Sequence, residues 1–240
     1  MFKITHFTEV TSTNDIIKDM AKAGAPAFSV AIADSQTAGR GRMGRSFMSP
    51  SGTGLYMSVL LRPDFSPDKA LLITTAAAVA TAKAIEKHTG KTAFIKWVND
   101  IFVDGKKVCG ILTEGSVANG CLEYAVLGIG INLMKPHGGF VGLENIAGAI
   151  FENENYDKDA LVNDILENFA DYYLDLENSP HYSEYVARDM LCGKEVDVIR
   201  AGELLYSAKV VRIDKDFSLT VEHDGKKENL ATGEVSVKIN

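Results

Sequence analysis

Residues 35–63, SQTAGRGRMGRSFMSPSGTGLYMSVLLRP, carry four arginines (Arg40, Arg42, Arg45, Arg62) and no acid, in a chain whose net charge is -7. Five glycines fall between Gly39 and Gly54. Glycine lets backbone approach a ligand closely, and arginine offers a planar fork of donors suited to phosphate or carboxylate. The pairing describes a mobile loop that closes over an anion, or else a solvated surface loop with no ligand. Two other segments carry comparable groups at strand ends. One is K-W-V-N-D (Lys96 to Asp100), followed by Lys106 and Lys107; the other is G-I-G-I-N (Gly128 to Asn132). Gly39, Gly41 and Gly44 have the spacing of a dinucleotide fingerprint, but that motif needs a helix to begin there. The following S-F-M-S-P-S-G-T-G cannot start one, and no Gly-Lys-Ser/Thr closes a Walker loop.

The elements that position these groups follow from periodicity. Residues 2–7 read as a strand, after which Ser12 with Asp15 fits a capping box before a helix that stops at Gly24. Ser12, Thr13 and Asn14 are therefore either helix caps or a turn aiming polar groups at a ligand. A central strand over 28–33 delivers the chain to the arginine loop, with Gln36 at the exit, and 55–61 is a third strand. Ser66 and Pro67 open a long alanine-rich helix ending near Gly90. Strands follow at 93–97, 101–103, 106–114 and 121–133, with Asp104-Gly105 and Asn119-Gly120 as hairpin turns. Adjacent hairpins require a mixed, largely antiparallel sheet, so the class is α+β with flanking helices. Residues 135–155 are irregular; 158–176 and 182–190 read as helices. From Gly193 short strands alternate at 195–199, 208–213, 218–222 and 235–239, separated by turns such as D-G-K-K, which suggests a small β-barrel.

The bulk properties narrow the class. The 240 residues suit a domain over 1–190 with an appended unit over 191–240. No apolar run nears the ~20 residues of a membrane span, and the N-terminus lacks a signal peptide's apolar core. Three cysteines (Cys109, Cys121, Cys192) without ligand spacing indicate neither a disulfide framework nor a zinc site. The cytosol is the expected compartment, with Cys109 and Cys121 as small core residues. The net charge argues against nucleic acid as a partner. In the terminal unit, Glu195, Asp197, Glu203, Asp214, Asp216, Glu222, Asp224, Glu228 and Glu234 balance its basic groups.

Q-T-A-G-R-G-R-M-G-R, K-W-V-N-D, K-K-V-C-G-I-L-T-E and G-I-G-I-N, in this order and after T-S-T-N, resemble the signature of biotin protein ligases over about residues 8–135. The resemblance implies a class II synthetase-like catalytic fold with a small C-terminal β-barrel. It also implies two reactions: biotin and Mg-ATP give biotinyl-5′-AMP, and the adenylate acylates a lysine of a biotin carboxyl carrier domain. Bringing a carboxylate to an α-phosphate joins like charges, so cations must be placed where charge accumulates. By resemblance, Arg40 and Arg42 close over the adenylate with Gly39, Gly41 and Arg45, and Lys107 contacts carboxylate and phosphate. Ser12, Thr13, Asn14 and Gln36, with the Gly110, Gly128 and Gly130 backbone, match the biotin positions. Asn99 and Asp100 match positions serving the metal-phosphate group and the incoming amine, which must lose its proton to attack. Asn132 falls on the nucleotide side, Phe47 is the candidate to stack on adenine, and Trp97 is core or pocket wall. Val98 stands where many members have Pro, a change confined to the turn. Regulatory members carry an N-terminal winged-helix domain, and this chain begins at the catalytic segment, so operator binding is not expected. An exposed edge strand leaves room for two copies to pair. A lipoate or octanoate transfer enzyme of the related fold, and a module binding RNA or another polyanion through the arginine loop, are the other two readings.

Overall fold

The computed structural model describes residues 1–118, 120–200, 202–231 and 235–239, so Asn119 of one expected turn and Glu234 of the acidic set lie outside the described residues. In chain order the first unit contains β1 (Lys3–Val10), α1 (Thr13–Lys22), β2 (Ser29–Gln36), β3 (Gly54–Leu61), α2 (Ala70–Thr89), β4 (Phe94–Lys96), β5 (Asp100–Val103), β6 (Lys106–Ala118), β7 (Cys121–Asn132), α3 (Lys158–Tyr173) and α4 (Tyr182–Ala187). Its sheet runs β1-β2-β3-β7-β6-β5-β4. Only β1 and β2 are parallel, joined by the α1 crossover, and every other pairing is antiparallel.

Both faces of the sheet are covered, which explains why β3 is buried at every position. On one face α2 is apolar nearly all round, with an unbroken buried run from Leu72 to Ala82. Its alanines let it lie close between the strands and α3. On the other face Ile17 and Ala21 of α1 pack on Ala31, Leu60, Tyr124 and Val126. Helix α2 ends where Gly90 takes a left-handed conformation (φ 68). The β5–β6 turn has both Asp104 (φ 51) and Gly105 (φ 73) left-handed, as a type I′ hairpin demands.

The second sheet is antiparallel, ordered β11-β10-β9-β8-β12 from β8 (Glu195–Arg200), β9 (Glu203–Ile213), β10 (Leu219–His223), β11 (Lys226–Leu230) and β12 (Val235–Ile239). Its end strands β11 and β12 do not pair among the described residues, so the sheet is not closed there, an arrangement compatible with the small β-barrel expected. β11 occupies part of the D-G-K-K stretch that reads as turn. Asp224 and Gly225 make the turn itself, and Lys226 and Lys227 are already exposed strand positions. The two sheets share one core: Phe217 stacks on buried His181, and Trp97 Nε1 donates to Phe217 O at 2.8 Å.

Three local expectations change. Ser12 is the N-cap of α1 but its side chain caps no helix amide, and Asp15 pairs with Arg40 instead of closing a capping box. Cys121 is exposed at the start of β7, while Cys109 is buried as expected. The helix expected over 158–176 ends at Tyr173 and is followed by a separate 3-10 turn, Leu176–Asn178. No helix among the described residues is long and apolar enough to cross a membrane.

Candidate active site

A cavity of about 490 Å³ opens where the ends of β2, β5, β6 and β7 meet the arginine loop. Its floor is glycine. A Cβ at Gly130 would lie 2.7 Å from the Phe47 ring, and one at Gly128 would lie 2.3 Å from Asn14 Oδ1. Those strand positions must be bare for the loop and α1 to approach the sheet. Phe47 lies over Gly110 and Gly130 as part of the wall.

The arginine loop folds as a short hairpin. Arg40 bridges Ser46, Gly41 N donates to Arg45 O, Phe47 N donates to Gly39 O, and Met43 at the tip is left-handed (φ 56). This aims Arg40, Arg42 and Arg45 at the cavity. Lys96 and Lys107 reach it from β4 and β6, and Lys238 from β12. Among the described residues six cations thus line the cavity against a single carboxylate, Asp100. Lys107 Nζ stands 2.7 Å from Asp100 Oδ1, an ion pair without hydrogen-bond alignment, so the lysine remains available to a stronger anion. Arg42 Nη1 donates to Asn99 Oδ1 at 3.0 Å, and Asn99 Nδ2 donates to Ile111 O at 2.8 Å, which fixes the sense of that amide. Burial lowers the Arg42 pKa, with Asp100 opposing. Burial also pushes the Lys96 ammonium below its ordinary value, helped by Lys107, Arg45 and Lys238 and opposed by Asp100. Arg42, Lys96 and Lys107 are half-buried and Arg40, Arg45 and Lys238 exposed, and such a gathering of like charges is unfavourable alone. It is arranged for a multiply charged anion.

At the other end the lining is neutral and polar. Thr13 N and Oγ1 both reach Gln36 Oε1 (2.8 and 3.2 Å), and Gln36 Nε2 donates to Ser49 Oγ at 2.8 Å. Ser58 Oγ, fully buried on β3, lies 2.7 Å from Thr13 Oγ1 and 2.6 Å from Asn14 Oδ1. Such a network presents amide and hydroxyl groups in fixed orientations. It suits a compact ligand head bearing both donors and acceptors.

Of the residues expected from sequence, Ser12, Asn14, Gln36, Arg40, Gly41, Arg42, Arg45, Phe47, Trp97, Asn99, Asp100, Lys107, Gly110, Gly128 and Gly130 converge on the cavity. Thr13 stands behind it through Gln36. Gly39 lies at the loop base, where a Cβ would meet Phe47 O at 2.4 Å. Asn132 is not among the lining residues, and its Nδ2 donates to Gly148 O at 2.9 Å. Trp97 is both core (4% exposed) and wall. Lys96, Ser58, Glu114 and the second sheet's Ile199, Val237 and Lys238 were not singled out from sequence. Ser58 offered a signal, the one small polar side chain inside the largely apolar run LYMSVLL; the second-sheet residues offered none. Among the described residues no three His, Cys, Asp or Glu side chains gather as metal ligands.

Residues 6–132 match the model of the biotin/lipoate A/B protein ligase family. The bifunctional ligase/repressor BirA of Bacillus subtilis (strain 168) is 38% identical over 169 residues, 69% of this chain and 52% of that protein. The chain thus spans about half the length of the Bacillus relatives it matches. BirA of Escherichia coli (strain K12) is 27% identical over 242 residues, 95% of this chain and 72% of the relative. A biotin protein ligase from Aquifex aeolicus, solved in complex with biotin and ATP, shares the fold over 100% of both chains with a TM-score of 0.81 at 23% identity.

Proposed function

The chain belongs to the biotin/lipoate A/B protein ligase family, and from that premise we propose that it activates biotin with ATP to biotinyl-5′-AMP and transfers biotin to a lysine of a biotin carboxyl carrier domain. The observation that carries the reading is the division of one cavity into a neutral hydrogen-bonding end and an end with, among the described residues, six cations around one carboxylate. The neutral end suits the ureido ring of biotin. The cationic end suits a carboxylate attacking an α-phosphate, where negative charge builds on both groups.

In the first step Lys107, between the two ends, holds biotin carboxylate and α-phosphate together. The carboxylate oxygen bonds to phosphorus and pyrophosphate leaves, its charge matched by Arg40, Arg42, Arg45, Lys96 and Lys238. A magnesium ion would arrive on the nucleotide's phosphates, and Asp100, the one carboxylate among the described lining residues, would help to hold it. In the second step the carrier lysine must be neutral to attack the acyl carbon, and AMP leaves. Asp100, once Lys107 is drawn to phosphate, is placed to accept that proton. The hairpin of the arginine loop shields the mixed anhydride from water. Residues 1–190 form the catalytic unit in this reading, and Ile199, Val237 and Lys238 of the 191–240 unit close one side of the cavity. The reaction uses soluble substrates and a soluble acceptor, so we place it in the cytoplasm.

The test is to incubate the protein with magnesium, ATP and labelled biotin, then add a carrier domain and follow label on the carrier lysine. Parallel arms use lipoate and octanoate with a lipoyl carrier domain. Label on the biotin carrier alone supports the proposal. Transfer only in a lipoate or octanoate arm, or in none, refutes it.

A further inference from the structure

The amide of Asn14 is clamped from two sides by groups that fix which of its ends is which. Asn14 is 4% exposed, in the first turn of α1, and Oδ1 takes the Ser58 hydroxyl at 2.6 Å. Nδ2 donates to Glu114 Oε2, also at 2.6 Å, and Glu114 Oε1 receives Lys18 Nζ at 2.6 Å. Lys18 is one helical turn beyond Asn14 on the same face of α1, and Glu114 reaches up from β6. An ionised carboxylate can only accept, so it forces the amide to present nitrogen, whereas a hydroxyl works with either end. Only Glu114 therefore sets the sense of the amide. Burial raises the Glu114 pKa, but bonds from Lys18 and Asn14 outweigh it and the net shift is downward, keeping the group ionised.

We propose that Glu114, held in place by Lys18, is a positioning residue that orients the Asn14 amide and so sets the donor and acceptor pattern offered to the polar head of the small-molecule acid. The ligand half of this inference rests on the proposed biotin reading; the clamp itself does not. Neither Glu114 nor Lys18 lines the cavity, so both act through Asn14.

The experiment has two arms. Without ligand, the Asn14 side-chain NH2 resonances should form one set of shifts in the parent protein. That set should move or split in Glu114→Gln and shift less in Lys18→Met, and an unmoved Asn14 signal in Glu114→Gln overturns the clamp. With ligand, Glu114→Gln should raise the KM for biotin roughly tenfold to a hundredfold, with kcat and the KM for ATP within about twofold. In an Asn14→Ala background the same change should add nothing further. A full additional loss there, or an equal loss in ATP and biotin terms, marks a merely structural role and overturns the proposal. If Glu114→Gln does not fold, Lys18→Met carries both arms, with a smaller NMR shift and a roughly threefold to tenfold rise in KM. No biotin response in the parent, with the NMR arm as expected, rejects the biotin reading and leaves the clamp standing.

Discussion

Gly128→Ala tests the close approach of α1 to β7 in quantitative terms. The added Cβ would sit 2.3 Å from Asn14 Oδ1, 3.0 Å from its Cγ and 3.1 Å from its Nδ2. Asn14 cannot yield cheaply, because its amide is bonded at 2.6 Å to both Ser58 and Glu114. Relieving the contact takes a displacement of about 1 Å, which stretches both bonds past useful length. Losing one neutral bond and one to a carboxylate costs about 2.5–4 kcal/mol, and residual strain brings the total to about 3–5 kcal/mol. For 240 residues the unfolding entropy near Tm is roughly 0.5 kcal/mol per degree. Differential scanning calorimetry of the ligand-free variant should therefore show Tm lowered by about 6–10 °C. Isothermal titration should show biotin affinity reduced at least roughly tenfold, while ATP affinity changes less than about twofold, because the cations stand on other elements. A Tm within about 1 °C of the parent with unchanged biotin affinity would refute the geometry.

Lys107→Met should slow adenylate formation roughly 100- to 1000-fold in single-turnover assays. It should leave Tm within about 3 °C, since Arg42 and Lys96 still act on Asp100. Arg42→Gly removes the loop's bond to Asn99, so biotinyl-AMP should escape roughly tenfold faster. Labelling of bystander lysines by mass spectrometry would read this, and unchanged retention counts against the loop's role. His181 is fully buried beside Thr75, and burial lowers its pKa from 6.5 to about 4. Its neutral form is the folded one, so its stabilisation is complete above pH 6.5 and is lost as pH falls towards 4. The parent should lose about 2–3 kcal/mol more over that window than His181→Gln in urea titrations. Asp189, raised by burial, works in the opposite direction in both proteins and cancels in the comparison. Parallel pH curves would contradict the assignment.

Much of the site was legible because its glycines and cations fall in contiguous strand-end motifs. Gly39 to Arg45, Lys96 to Asp100 and Gly128 to Asn132 announce backbone approach and charge in a local window. What escaped depends on pairing across the sheet. Ser58, Glu114 and Lys18 lie on β3, β6 and α1, and meet only because β7 puts Gly128 opposite Ser58 on one side and Leu112 on the other. Lys238 enters the cavity through the packing of the second sheet, which no local pattern encodes. Local reasoning also failed where a tertiary partner outbid a local one: Asp15 fits a capping box by spacing, yet Arg40 takes its carboxylate. β11 was missed because K-K-E-N has few apolar residues, and only Leu230 of that strand is fully buried.

The central claim is that one cavity joins biotin carboxylate to the α-phosphate of ATP. It is tested most directly by pyrophosphate exchange, with purified protein, magnesium, ATP and labelled pyrophosphate, with and without biotin. The account predicts label entering ATP only when biotin is present, and loss of that exchange in Lys107→Met. Exchange that is absent with biotin, or that runs equally well without it, would contradict the account.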